Sequence, residues 1–442
     1  MVKVGEEYIV KIDGINSQGQ GIAHIGGFVV FVDYALPEEI VRIRIHTAKK
    51  DYAIGSIVEF VERNSHGVEP PCEFFYECGG CHLMHVTYEY QLELKKKIIE
   101  DALRRIGKIE RDINSVIGME NPYRYRNKAK IFVGNRKGSI VLGFYKPQTH
   151  CIVDVSKCIV QHEDIDRVIE TTKEAVKNFH INVYDEILHK GSLRSIVVRR
   201  SYAFNELMLT LVSDGLISDA KEIAKFFKYN LKNLASFYIN VNSKEMNEIF
   251  GEETIKDKIG EFIFEISPIS FFQTNTIQTE LLYNKVLEYL IPESKLVFDA
   301  YCGVGTISLF LSQKAEKVYG IEIERSAVDD AWKNAKKNNV ENVEFIWDRS
   351  EEAIPRLISE GKIPDIIVVD PPRKGCDKIL LDAIIENKIK QIIYISCYPA
   401  TLARDINILV NSGYEIMEIQ PVDMFPQTFH VECVTLMSKV EK

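Results

Sequence analysis

Two side chains near the end of the chain have the types needed for covalent catalysis. Cys397 closes the apolar run Ile392-Ile-Tyr-Ile395 and precedes Pro399, a residue tolerated in a first helical turn. A thiol there stands at the carboxyl end of a buried strand, the edge where open α/β sheets bind ligands. As an isolated feature it reads equally as a small buried apolar residue. Glu432 begins the apolar run Cys433–Val440. A carboxylate at such a position is unfavourable unless partnered or functional, and it offers the base that a nucleophilic thiol needs.

More carboxylates fall at predicted strand ends. The run Leu296–Ala300 leads into Asp299-Ala-Tyr-Cys-Gly-Val-Gly-Thr306, a Gly-rich turn that lets the backbone approach a ligand. Glu322, Asp348 and Asp370 close the strands predicted over Lys317–Ile323, Val343–Trp347 and Ile366–Val369. Gly303-x-Gly305 lacks the third glycine of a dinucleotide fingerprint. Glu322 follows at the distance of a ribose-binding carboxylate. A nucleoside without pyrophosphate, such as S-adenosylmethionine, therefore fits better than NAD. Asp348 is placed for an adenine amino group and Asp370 for a sulfonium or a reacting base. The bland alternative for each carboxylate is a helix cap.

These positions require a doubly wound sheet, with strands at Leu296–Ala300, Lys317–Ile323, Val343–Trp347, Ile366–Val369 and Gln391–Ile395 and a helix over Thr401–Leu409. Two further strands, Tyr414–Val422 and Cys433–Val440, are expected to form a hairpin whose turn, Asp423–His430, projects over the crevice. The fold class expected for the whole chain is α/β, with a small N-terminal β-barrel, a central α/β domain and a C-terminal Rossmann-like domain. The expected boundaries are residues 1–62, 63–260 and 261–442.

In the first segment the strands read as Glu7–Ile12, Gly27–Val32, Ile40–His46 and Tyr52–Val61, around the Gly-rich turn Ser17–Ala23. Arg42, Arg44, His46, Lys49 and Lys50 are expected to make one side basic. Such barrels commonly bind RNA or oligosaccharide. Pro70-Pro71 then marks a boundary before Cys72, Cys78 and Cys81, separated by five and two residues. With Cys158 as a fourth, these thiols suit an iron–sulfur cluster or structural zinc, with His82, His85 and Cys151 as other donors. Tyr88–Ile106 reads as an amphipathic helix, its stripe Leu92, Leu94, Ile98, Ile99, Ala102 and Leu103 opposed by lysines and glutamates.

The net charge is −9, yet residues 121–153 contain no Asp or Glu. Arg124, Arg126, Lys128, Lys130, Arg136, Lys137 and Lys146 alternate there with aromatic residues. That pattern pairs phosphates and stacks bases, unless it is a solvated strand pair. Arg194, Arg199 and Arg200 are candidates to extend this basic face. No run of eighteen apolar residues exists, and Met1–Glu7 lacks the pattern of a signal peptide, so a cytoplasmic protein without a membrane anchor is expected. A monomer is expected.

Taken together, Ser-Cys-x-Pro-x-Thr-x-x-Arg-Asp, Asp-Pro-Pro-Arg-x-Gly, Phe-Pro-x-Thr-x-His-Val-Glu and Ser270-Phe-Phe-Gln273 resemble the RNA uracil-C5 methyltransferase family, with a TRAM-like barrel in front. The resemblance spans the chain. Its barrel and cysteine cluster resemble the branch acting on 23S ribosomal RNA, with transfer RNA as the alternative substrate. It implies Cys397 as nucleophile and Glu432 as base. It also implies Gln273, Tyr301, Glu322 and Asp370 as contacts to S-adenosylmethionine, and a [4Fe-4S] cluster on Cys72, Cys78, Cys81 and Cys158. Thr306 and Asp348, also expected to contact the cofactor, stand where members often have Asn. An RNA cytosine-C5 methyltransferase would carry a second cysteine directly after Pro372, where this chain has Arg373, with Cys376 out of place. A non-catalytic RNA-binding module of ribosome assembly would not need Cys397 and Glu432 together.

Overall fold

The computed structural model describes residues 2–186, 188–242, 245–292 and 294–440. The N-terminal segment is a six-stranded sheet in the spatial order Glu7–Lys11, Ile40–Ala48, Tyr52–Glu62, Phe28–Asp33, Gly21–Ile25, Gly14–Ile15. Alternating apolar residues, among them Val10, Val30, Val32, Val41, Ile43 and Ile45, fill its interior. The strands Gly14–Ile15 and Gly21–Ile25 are additions to the sequence reading. Its Gly-rich turn is the bend between them, shorter than expected. The basic side of this barrel is largely self-paired: Arg42 bonds Glu59 at 3.0 Å and Arg44 bonds Glu7 at 2.6 Å.

The central unit is a seven-stranded sheet, covered by the helices Glu163–Asn178 and Ala220–Asn230, whose apolar faces close one core. The basic stretch forms the hairpin Lys128–Arg136 and Ser139–Tyr145. Several cations expected to face RNA are instead structural. Arg124 bonds the carbonyls of Cys158 and Gln161 and the Asp166 carboxylate. Arg194 pairs with Glu186 and Asp214, and Arg200 with Asp164. Arg199 is buried and donates to the carbonyls of Pro268 and Ser270, holding the loop that precedes Gln273.

The C-terminal sheet has seven strands in the order Val343–Trp347, Ala315–Glu322, Ser294–Ala300, Ile366–Val369, Gln391–Ser396, Glu432–Lys439, Tyr414–Val422. The first five are parallel; Glu432–Lys439 runs antiparallel between the nucleophile strand and the edge. The fifth strand is followed by the helix Pro399–Asn411, two residues longer at each end than expected, with Pro399 in its first turn. A separate hairpin, Ile255–Ile259 with Phe262–Ile266, packs its apolar side into the core under this sheet. Among the described residues no helix is long and apolar enough to cross a membrane.

The helix Tyr88–Ala102, extended by a wider turn over Leu103–Gly107, packs against Pro399–Asn411. Its buried face is less apolar than the sequence stripe implied. Gln91 and Lys95 are buried in it. Lys95 Nζ lies 2.5 Å from Asp423 Oδ1 and 3.0 Å from the Phe425 carbonyl, with both side chains of the ion pair fully buried. Tyr88 donates to the other Asp423 oxygen at 2.9 Å. Gln91 exchanges two hydrogen bonds with Gln427. A chain segment 330 residues away in sequence is thereby fixed on this helix. Lys95→Met leaves the Asp423 carboxylate buried without its counterion, and about 3–5 kcal/mol of stability should be lost. Chemical denaturation of the variant measures this, and the double change Lys95→Met with Asp423→Leu should recover most of it.

Candidate active site

The register of the last two core strands brings the thiol and the base together. Ser396 pairs with Cys433 and Ile395 with Val434 in an antiparallel ladder. One step further along the same ladder, Cys397 comes level with Glu432. Asp370 follows the neighbouring strand Ile366–Val369, so its carboxylate joins the same edge. All three groups influence one another. Burial pushes Glu432 up to about 8, with the Asp370 charge adding to the rise and Arg373 opposing it. Burial likewise pushes Asp370 up to about 7. The Cys397 thiol rises to about 11 through burial and then through the two carboxylates, against Arg373. Arg373 is exposed and its side chain makes no ion pair among the described residues.

The loops carrying these groups are locked by a fully buried carboxylate, Asp405. It accepts from the Cys376 amide at 2.9 Å, from the Tyr394 hydroxyl at 2.7 Å and from Arg404 Nε at 2.7 Å. Arg404 also donates to the Lys374 carbonyl, and Thr401 to that of Arg373. The Asp370–Gly375 turn is therefore clamped to the helix that follows Cys397. Gly375 is required by this clamp. Its φ is +81°, and a Cβ there would stand 2.5 Å from an Arg404 nitrogen and 2.6 Å from an Asp405 oxygen. The sequence motif contains Thr401, Arg404 and Asp405, but their function as a clamp shows only in three dimensions. Cys376 is buried beneath this turn, its amide held by Asp405.

At the Gly-rich turn, the Glu322 carboxylate accepts from the Gly303 amide at 3.0 Å and from the Glu324 amide at 2.9 Å. It thus ties the Gly-rich turn to the second strand, each oxygen keeping lone-pair capacity for a hydroxyl. Tyr301, at φ +67° in the same turn, and Gln273 are half-buried. The Gln273 carbonyl accepts from Asn127 of the central unit at 3.1 Å. Thr306 shares a hydrogen bond with Tyr283 at 2.9 Å. Asp348 is partly committed locally, one oxygen accepting from the Arg349 amide and the other from Arg356 at 2.7 Å, though it does not cap the helix that follows. Asp299, not singled out from the sequence, lies fully buried under the turn. It accepts from Ser308 at 2.5 Å, and burial pushes it up to about 7.

The four cysteines Cys72, Cys78, Cys81 and Cys158 line one cavity of about 280 Å³, together with Tyr125 and Arg126. Burial raises all four thiols, Cys78 to about 11. The Gly80 amide points at the Cys78 sulfur at 3.4 Å. Among the described residues no three His, Cys, Asp or Glu side chains are arranged to hold a single metal ion. Cys151 is exposed and does not line the cavity. His85 instead packs edge-on to Tyr34 and beside Phe75. The cysteine loop is joined to the catalytic edge: the His82 and Leu83 amides both donate to the Gln427 carbonyl, at 2.9 and 3.0 Å.

Comparison with known proteins agrees with this geometry. The profile of the family described as tRNA (Uracil-5-)-methyltransferase matches residues 87–440, and that of the TRAM domain matches residues 1–58. An uncharacterised RNA methyltransferase of Clostridium tetani is 46% identical over 447 residues, covering 99% of this chain and 97% of its own length. One from Clostridium acetobutylicum is 45% identical, covering 100% and 99%. Among solved structures, the tRNA (uracil-54, C5)-methyltransferase of Pyrococcus abyssi, bound to S-adenosyl-L-homocysteine, is 28% identical. It covers 97% of this chain and 99% of its own, with a TM-score of 0.78. The chain is a member of the S-adenosylmethionine-dependent RNA uracil-5-methyltransferase family, carrying an N-terminal TRAM domain.

Proposed function

We propose that the protein methylates C5 of a specific uridine in 23S ribosomal RNA through a covalent bond between Cys397 and C6. The observation that carries this is the ladder register that sets Glu432 level with Cys397, beside Asp370. Uracil C5 is a weak nucleophile toward a methyl sulfonium. The Cys397 thiolate adds to C6, and the electron pair moves to C5 and the adjoining carbonyl as an enolate. C5 attacks the methyl carbon, the bond from carbon to sulfonium sulfur breaks, and S-adenosylhomocysteine leaves. Glu432 takes the C5 proton, the C5–C6 double bond re-forms, and the Cys397–C6 bond breaks. Arg373 and Asp370 orient the base and stabilise the enolate charge. The uracil leaves its stack to enter this crevice. Gln273, Tyr301, Thr306, Glu322 and Asp348 hold the donor nucleoside.

Burial sets a pH rule for the donor. Asp370 and Glu432, pushed up to about 7 and 8, are mostly neutral below neutrality, so a cationic sulfonium beside them binds with proton release. Affinity for S-adenosylmethionine should therefore rise between about pH 6 and pH 8, by up to about tenfold per unit for one proton. S-adenosylhomocysteine, whose sulfur is neutral, should show no such rise. Calorimetry of both ligands across this range is the check, and identical profiles would remove the sulfonium from Asp370.

Cys72, Cys78, Cys81 and Cys158 are the residues to hold a [4Fe-4S] cluster. Four half-buried thiols lining one cavity are a donor set of the kind that holds such a cluster. The cluster would supply a structural tie or an electron store. Protein purified without oxygen should be brown and contain iron; colourless protein with stoichiometric zinc refutes this choice of metal.

The ribosomal substrate rests on the pairing of a barrel with a cysteine cluster. The length-matched Pyrococcus abyssi enzyme supports a second reading, a uridine of transfer RNA. Mapping 5-methyluridine in both RNAs, with and without the gene, decides between them. Loss from neither RNA rejects both.

A further inference from the structure

A cavity of about 390 Å³ opens beside Cys397, and no residue of the Gly-rich turn at Gly303–Gly305 lines it. The reacting ring belongs at its inner end, between Cys397 and Glu432. The space beyond is walled by parts of the chain that lie far apart in sequence: the barrel turn at Gln18, His82 of the cysteine loop, Phe429 of the final hairpin, and Tyr398. The wall is fixed. Gly19 sits at φ +76°, and a Cβ there would stand 3.2 Å from the Phe429 ring, so the barrel turn is seated on the hairpin without slack.

The chemistry of this outer space is specific. Arg373 offers a guanidinium with no ion pair among the described residues. Tyr398 directly follows the thiol and is 38% exposed, an aromatic face at the cavity mouth. Its amide is tied to Ser396 Oγ at 3.1 Å, so the backbone that carries the ring is held in place. His82 and Phe429 stand with ring centres 4.4 Å apart on the facing wall, and His82 Nδ1 is buried without a hydrogen-bond partner among the described residues. Aromatic faces and a cation without an ion pair together match a nucleotide.

We propose that this outer space is a second nucleotide subsite, which stacks the RNA base adjoining the target uridine on Tyr398, with Arg373 at its boundary with the reacting ring. The proposal rests on the uridine reading above. The two nucleotides are then unstacked together, and the barrel turn meets the RNA at the thiol itself.

The test is steady-state methyl transfer to unmodified 23S ribosomal and transfer RNA transcripts, using whichever accepts methyl, with Tyr398→Leu and Tyr398→Phe. Tyr398→Leu keeps an apolar side chain but loses the ring. It should raise KM for RNA about 5- to 100-fold, the range for losing one stacked base. Its kcat and its KM for S-adenosylmethionine should stay within about twofold. Tyr398→Phe should behave as the unaltered protein. The subsite is overturned if Tyr398→Leu keeps its RNA KM, if both variants fail alike, or if the donor KM shifts with the RNA KM. If the unaltered protein methylates neither RNA, the uridine reading fails and the subsite falls with it. If methylation stands and only the Tyr398 pattern fails, the uridine reading survives alone.

Discussion

Cys397→Ala should lose methyl transfer by about 10⁴- to 10⁶-fold, the scale seen when a covalent nucleophile is removed from a site whose other parts remain. The substitution removes no charge and leaves the barrel and the central hairpin untouched, so RNA binding should change little. In the ligand-free protein the thiol is a poor nucleophile, held up to about 11 by burial and by Glu432 and Asp370. Two cations counter this: Arg373, and the sulfonium once the donor is bound. Thiolate formation should therefore depend on the donor. RNA containing 5-fluorouridine tests the chemistry directly, because fluorine at C5 cannot leave as a proton and the adduct is trapped. A denaturant-resistant protein–RNA complex should form with the unaltered protein and S-adenosylmethionine, and none with Cys397→Ala. Full methyl transfer by Cys397→Ala would falsify the covalent route.

The catalytic edge was legible in the sequence because strand ends announce themselves. Each buried run in the parallel sheet stops at a polar residue, so Glu322, Asp370 and Cys397 fall at one edge once the strands are drawn. Glu432 was legible as a carboxylate opening an apolar strand. Its height relative to Cys397 follows from the antiparallel register, which needs the pairing partner and not only the strand. The fully buried Lys95–Asp423 pair was not legible, since a lysine within a helix face reads as solvated until a distant carboxylate covers it. Arg124, Arg194, Arg199 and Arg200 misled for the mirror-image reason. Composition counts a cation without showing the carboxylate or carbonyl already holding it. The stretch Ser17–Ala23 reads in the sequence as a Gly-rich turn and no more. Its seat on Phe429, which makes it a wall of the active-site cavity, joins residues over 400 positions apart.

Glu432→Gln should separate the two halves of the reaction. Addition of Cys397 to C6 and attack of C5 on the methyl group need no base at position 432, whereas release needs the C5 proton removed. Turnover should fall by about 10²- to 10⁴-fold, the usual worth of a positioned base. A methylated RNA still bonded to Cys397 should accumulate, with natural uridine and no fluorine required. The isosteric amide removes an acid raised to about 8 from a fully buried position, so the fold should not suffer. Denaturing electrophoresis with methyl-labelled donor reads the outcome, since the label should migrate with the protein and be released by nuclease as a nucleotide–peptide adduct. If free methylated RNA appears at an unaltered rate, the base lies elsewhere, and Asp370, the other raised carboxyl on this edge, becomes the group to replace. If no adduct forms at all, Glu432 acts before methyl transfer by accepting the Cys397 proton, and the ladder that pairs Ser396 with Cys433 is then a thiol-activating device.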